Sequence, residues 1–549
     1  MKNIEIQIGD TLGTWDTGVT SWDVLKNITH SKPVIGVLWN RRLQSLLEPL
    51  LVPGILEPVF LEGSTGHKIY RRTLCFLLEM ALRRTYPELS LHIGHSLGGG
   101  YFFFPPTGHP LSPEEIENLL GELKKLVKRN LKIEPVRLYY TQALEIFTAQ
   151  GQEDSVQLIK QRNEHEVSCW CCDGYYDLDH FPLASQTSQV PVFDLVPHRQ
   201  GCILHMPDKT WPLKLSPFQD KPILYSIYKE YQNWGDVLGI STVAELNHVA
   251  GTKEISEYIQ VAETLQEKKL SDLADKIAKR KREIKLILVA GPSSSGKTTF
   301  TKKLSIHLKV LGFRPRIISL DDYFVPRDNT PKDADGNFDF ENLRALDVEL
   351  LNQDLLNLME GKEVEIPIFD FKIGNRKDRG RKIAMGDRDI LMMEGIHGLN
   401  DELTPLIPRN TKFKIYISAL TQLNLDNHNR ISTTDNRLLR RMVRDSQFRG
   451  YSALHTLKMW PSVRRGEDKN IFPFQDTGDA VFNTALDYEL AVLCNYALPL
   501  LKSVPPTEPE YYHASRLIGF LENFTVILPQ HVPLFSLLRE FIGDSGFKY

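Results

Sequence analysis

Ile284-Lys285-Leu286-Ile287-Leu288-Val289-Ala290 runs directly into Gly291-Pro292-Ser293-Ser294-Ser295-Gly296-Lys297-Thr298, and this junction decides the fold. The apolar run reads as a strand buried on both faces of a parallel sheet. The eight residues after it fit G-x-x-x-x-G-K-[ST], a phosphate-binding loop. Residues 299–311 are helix-compatible, and Gly312 can cap that helix. Further strand-like runs at 316–320, 390–393, 413–417 and 525–528 alternate with helix-like segments. Such alternation predicts a parallel sheet covered by helices on both faces.

The loop's chemistry follows from its residues. Backbone N–H groups from Ser293, Ser294 and Ser295 through Gly296, Lys297, Thr298 and Thr299 at the helix start face anionic phosphates. Gly291 and Gly296 allow a close approach that a Cβ would block. Lys297 reaches the terminal phosphates and the Thr298 hydroxyl can ligate Mg²⁺, so the cofactors are ATP and Mg²⁺. The next strand ends at Asp321-Asp322, where carboxylates can hold the metal or take a proton from an attacking hydroxyl. Taken alone, that pair reads better as a helix cap. Glu394, closing the strand 389–394, is placed to hold Mg²⁺ directly or through water. Arg430, Arg437, Arg440, Arg441, Arg444 and Arg449 are spaced so that several share a helical face. They form either an exposed, salt-bridged helix or a lid that neutralises a transferring phosphoryl group.

A chain of 549 residues exceeds one core, so two to four domains are expected. Its composition is that of a globular protein, with 42% hydrophobic and 25% charged residues. A net charge of −3 gives no global pull toward nucleic acid or a membrane surface. No uncharged apolar run of about 18 residues occurs, so no membrane span is predicted. Six cysteines in this length do not make a disulfide scaffold, which fits a reducing cytoplasm.

Ahead of the loop lie three segments. Residues 1–66 carry short strand-like runs broken by Gly and Pro. Residues 67–215 open with a helix over 71–84, then place Ser112, Pro113 and Glu115 as a capping box at the head of another. Residues 216–283 are helix-rich and end in a charged stretch that reads as a solvated connector. Residues 284–549 hold the loop and its sheet.

From about 284 to 500 the chain resembles the uridine kinase/phosphoribulokinase family. Besides the loop, the resemblance rests on Ile318-Ser319-Leu320-Asp321-Asp322-Tyr323-Phe324, on 337–342, on 365–371, on Met393-Glu394-Gly395-Ile396, and on Arg440-Arg441-Met442-Val443-Arg444-Asp445. It implies an α/β P-loop kinase in which Asp321 is the base and a Mg²⁺-linked residue. Lys297, Arg440 and Arg444 then stabilise charge, while Asp339, Phe369, Arg441 and Arg449 line the acceptor site. The family's Tyr is Phe369 here, its base-reading His falls on Gly374, and its His-Pro is Phe340-Glu341. Losing polar contacts of that kind changes discrimination among acceptors.

The front half resembles the N-terminal part of threonyl-tRNA synthetase, implying an α+β half. Residues 1–66 look like its β-grasp module and 67–215 like its editing domain, through 71–82, 94–102 and Gly174-Tyr175-Tyr176-Asp177-Leu178. The editing motifs fall on Arg72 and Phe76 and on Asp179 and Leu183, which implies a scaffold without the hydrolytic site.

Cys169, Cys171 and Cys172 near His165 and His180 lack paired zinc-ligand spacing and read as buried structural cysteines. Gly98-Gly99-Gly100 reads as a turn; His455, Arg464 and Arg465 read as acceptor cover or as packing. The expected activity is ATP-dependent phosphorylation of a small-molecule hydroxyl, foremost a nucleoside 5′-hydroxyl. Two alternatives stand beside it: a sugar-phosphate kinase, and an ATP-dependent RNA- or tRNA-linked regulator. The front half could also serve only to build a homo-oligomer.

Overall fold

The computed structural model describes residues 3–548 apart from 27, 29–31, 107–108, 210, 282, 333–335, 337 and 371–372. Asn337 and Phe371, which belong to the family-like segments, lie outside the described residues. Contacts divide the chain into two units. One comprises Met1–Lys253, Gln422–Ser432 and Leu498–Val526; the other comprises Glu254–Thr421, Thr433–Ala497 and Ile527–Tyr549.

The second unit is a five-stranded parallel sheet. Across it the order is Arg314–Ser319, Asp389–Glu394, Leu286–Ala290, Lys412–Ser418 and Ala480–Asn483. Every residue of the central strand Leu286–Ala290 is buried, because its apolar side chains feed both faces. On one face Leu270, Ala274 and Ile277 pack with Phe300, Leu304 and Leu308. On the other, Leu351, Leu355 and Leu358 pack with Leu403 and Ile407. The strand expected at 525–528 does not form. Val526 and Leu528 stay 45% and 50% exposed, and Ile527 hydrogen-bonds to the Ala491 carbonyl instead of a ladder partner. The edge is built by Ala480–Asn483, whose Ala, Val, Phe and Asn give a weaker strand signal than Thr525-Val526-Ile527-Leu528.

The first unit holds a mixed five-stranded sheet in which Asn3–Ile8 pairs antiparallel with Thr11–Asp16 and parallel with Gly54–Phe60. The helix Ser64–Thr85 follows, buried from Thr73 through Leu82. A three-stranded and a four-stranded antiparallel sheet complete the unit. The capping box heads helix Pro113–Arg129 as the sequence predicts: Glu115 N–H donates to Ser112 Oγ at 3.2 Å, and Ser112 N–H donates to the Glu115 carboxylate at 2.7 Å. Ser112→Ala is expected to destabilise this unit by about 1 kcal/mol in urea denaturation.

The hairpin of Asn424–Asp426 and Asn429–Arg430 also belongs to this first unit. Its Asp426 is fully buried, accepts from the Asn429 amide and faces His180 at 2.9 Å. Burial works against the Asp426 charge, yet His180, His428 and Arg72 hold its carboxyl below the ordinary value. His428 stands 3.2 Å from Glu79, and despite burial that carboxylate pushes its imidazole up to about 9.

Candidate active site

The loop's shape requires its glycines. At Gly291 a Cβ would stand 2.2 Å from the Ile417 carbonyl oxygen, and Gly296 takes φ +83° to start the helix Lys297–Val310. Thr298 Oγ donates to Glu394 at 3.1 Å, joining the head of that helix to the end of strand Asp389–Glu394. Lys297 Nζ donates to the carbonyls of Gly291 and Pro292 at 3.0 and 3.1 Å. Crowding by protein lowers the Lys297 pKa, opposed by Glu394, Asp321 and Glu540. The same crowding pushes Glu394 up to about 7, with Lys297 opposing and Asp321 and Glu540 adding.

The two aspartates part company. Asp321 sits in a turn capped by Ser319 Oγ, which accepts its N–H at 3.2 Å, and its side chain is open to solvent at the carboxyl end of the sheet. Its pKa is raised by the surrounding protein and by Asp322, with Lys297 opposing. Asp322 points to the Phe369 N–H at 3.4 Å and so helps fix the strand Phe369–Asp370. Oxygen donors from Thr298, Asp321 and Glu394 suit Mg²⁺, which rests on one or two carboxylates plus the phosphates it accompanies. Among the described residues no group of three or more His, Cys, Asp or Glu forms a closed metal cage.

The arginines divide by burial. Arg437 and Arg440 are fully buried beneath the loop. Arg437 donates to the Ser293 carbonyl at 3.0 Å and pairs with Glu467; Arg440 donates to the Thr484 carbonyl at 2.8 Å and pairs with Glu489. Arg440, expected among the charge-stabilising residues, is thus committed to bracing the loop from below. Arg441 donates to Ser293 Oγ at 2.7 Å and joins Arg444 and Arg449 around buried Asp445, at 3.2, 2.9 and 3.4 Å. Arg449 remains 49% exposed and Arg444 16%.

On the acceptor side, Asp339 is half-buried and Phe338 and Phe340 flank it, 38% and 41% exposed. Phe340 and Phe369 meet Phe324 at ring separations of 6.2 and 5.6 Å, forming an aromatic wall. Gly374 has φ +74°, and a Cβ there would lie 2.8 Å from Arg327 Nε, so this guanidinium takes the space of any side chain at 374.

Glu467 and Glu540 went unnoticed in the sequence because no motif marks them, and Glu341 was read only as a departure from the family's His-Pro. Glu341 packs over Gly466 and is pushed up to about 7 by burial, with Glu467 adding and Lys297 opposing. Glu467 accepts the Ser293 N–H at 3.0 Å. Glu540 accepts from Thr299, whose N–H and hydroxyl lie 2.9 and 2.6 Å away.

Asp487 is likewise pushed up to about 7, by burial and by Glu489 beside it. A raised carboxylate pKa means the folded state holds the proton longer than the unfolded chain. Its contribution is therefore lost as pH rises from the unfolded value to about 7. Asp487→Asn is expected to flatten the fall in urea stability between pH 5 and pH 8; an unchanged slope would remove Asp487 as its source.

A phosphate loop at the head of a helix, with carboxylates at the ends of the next two strands on one side of the sheet, defines a P-loop kinase fold. Residues 286–491 match the model described as Phosphoribulokinase / Uridine kinase family. The N-terminal half matches threonine–tRNA ligases, among them that of Clostridioides difficile (strain 630). Identity to it is 29% over 196 residues, 35% of this chain and 31% of the ligase, so the chain spans about a third of that relative's length. The Arabidopsis thaliana inorganic pyrophosphatase TTM2 is 40% identical over 124 residues, 22% of this chain and 16% of that protein. Among solved structures, a possible uridine kinase from Bacillus stearothermophilus is 20% identical, covering 39% of this chain and 100% of its own, with a TM-score of 0.26.

In the front half, the positions on which the resemblance places the editing motifs hold structural side chains. Arg72 pairs with Asp177 at 2.6 Å, Phe76 and Leu183 are fully buried, and Asp179 accepts from the Trp170 indole at 3.0 Å. Cys169 and Cys172 are buried, which raises their thiol pKa values. Among the described residues no helix is long and apolar enough to cross a membrane.

Proposed function

We propose that this chain transfers the terminal phosphoryl group of ATP to the 5′-hydroxyl of a nucleoside. The observation that carries the reading is Asp321: a solvent-open carboxylate at the carboxyl end of the sheet, close enough to Lys297 at the head of the loop for each charge to act on the other. The ring of Phe340, 41% exposed beside Asp339 and backed by the buried rings of Phe324 and Phe369, suits a flat base and its ribose.

Thr298, Asp321 and Glu394 would hold Mg²⁺, which when bound neutralises phosphate charge. The acceptor oxygen forms a bond to the terminal phosphorus as the bond to the bridging oxygen breaks. The hydroxyl proton passes to Asp321, and ADP carries away the displaced negative charge. Lys297 and the arginines gathered on Asp445 stabilise the charge on the transferring group. We further propose that the ligase-like front half serves as a scaffold.

Arg327 favours a second reading, an acceptor that carries its own anionic group, such as a sugar phosphate. Its guanidinium occupies the position of a side chain at 374, and guanidinium forks bind phosphates. Turnover of ATP with a panel of nucleosides and sugar phosphates, products read by mass, separates the two. A phosphorylated nucleoside supports the first reading and a phosphorylated sugar phosphate the second. ATP binding without turnover on any acceptor would overturn both in favour of an RNA-linked regulator.

A further inference from the structure

We infer that the C-terminal segment of this chain is a built-in competitor for its nucleotide, with Glu540 seated where a phosphate of ATP must go. The inference rests on the reading that the loop 291–298 binds ATP. The first four N–H groups of a helix have no partner within it, and its N-terminus attracts anions. In the helix Lys297–Val310 one of those N–H groups, that of Thr299, already donates to a carboxylate. Glu540 Oε2 accepts it at 2.9 Å and also accepts the Thr299 hydroxyl at 2.6 Å. Thr299 is fully buried, and one oxygen of half-buried Glu540 reaches the position that its two donors define. A phosphate oxygen, being an anionic acceptor too, can take the same two hydrogen bonds.

The carboxylate arrives on an anchored support. Glu540 lies in the turn Arg539–Ile542, whose Phe541 is fully buried with the Arg440 guanidinium 4.9 Å from its ring centre. Arg539 donates to the carbonyls of Pro529 and Val532 at 2.9 and 2.7 Å, and Lys303 donates to that of Phe535 at 2.9 Å. Leu537 lies 3.9 Å from where a Cβ of Gly296 would stand. Glu540 also adds a third negative charge beside Asp321 and Glu394 around Lys297, so it opposes an incoming triphosphate by repulsion as well as by occupancy. Nucleotide entry then expels Glu540 and loosens the segment behind it.

The test is isothermal titration of the full-length protein with ATP and Mg²⁺, comparing wild type, Glu540→Gln, Glu540→Ala and Lys297→Ala. Removing one charge-assisted hydrogen bond from the competing side is expected to tighten ATP binding by about tenfold in both Glu540 variants. Amide exchange over 536–548 in wild type is expected to rise on ATP addition. Affinities of the Glu540 variants within about twofold of wild type, with Lys297→Ala still abolishing binding, would overturn the inference and leave the ATP reading intact. No ATP binding by any of the four, each folded by circular dichroism, would overturn the ATP reading and this inference with it.

Discussion

Asp321→Asn is expected to lower turnover by about 10²–10⁴-fold while leaving ATP binding near wild type, because amide and carboxylate share a shape but only the carboxylate accepts a proton. The side chain is solvent-open at the end of strand Arg314–Ser319, and its N–H is held by Ser319, so the backbone needs nothing from the carboxylate. Asp322 cannot substitute for it, being directed at the Phe369 N–H. The measurement pairs steady-state turnover on the best acceptor with an ATP titration. Turnover within about threefold of wild type would eliminate Asp321 as the base. A joint collapse of binding and turnover would instead assign it chiefly to the metal.

The second large effect concerns stability. Arg440→Met is expected to destabilise the sheet-bearing unit by about 3–5 kcal/mol, since it strands the Glu489 carboxylate in a dry interior. Both side chains are fully buried, and Arg440 also donates to the Thr484 and Ser294 carbonyls at 2.8 and 3.4 Å. Urea denaturation reads the loss. Adding Glu489→Met to Arg440→Met is expected to restore part of it, because two apolar groups no longer leave a charge unpaired. Equal stability of the two variants would show that the carbonyl contacts, rather than the ion pair, carry the effect.

These two residues also mark where the sequence is legible. Asp321 and the loop could be read because strand, turn and glycines are contiguous, and each local feature supports the next. Arg440 could not, because helical spacing says only that Arg437, Arg440, Arg441 and Arg444 lie near one face. What separates them is Glu467 and Glu489, which arrive from later helices and draw two of the four guanidiniums inward. Glu540 was hidden for the same reason: it is 241 residues from Thr299, and nothing near it in sequence signals an anion site. The edge strand went astray through composition, Ala480-Val481-Phe482-Asn483 carrying fewer β-branched residues than the exposed run Thr525-Val526-Ile527-Leu528. In the front half the hairpin at 424–430 lies beyond the loop in sequence, yet packs with His180 and Glu79.

That interleaving has a consequence for how the protein is made. The first unit needs Met1–Lys253 but also Gln422–Ser432 and Leu498–Val526. At about 5–20 residues per second, roughly 14–55 s separate synthesis of residue 253 from that of residue 526. For roughly the first 9–35 s of it, until residues 426–428 are made, His180 has no Asp426 and Glu79 has no His428. The nascent front unit therefore waits on the ribosome with open ionisable groups, and its last pieces arrive only after most of the parallel sheet has been synthesised. A fragment cut at residue 253 would remain in that unfinished state, so separating the ligase-like half for study requires its two later segments to be supplied with it.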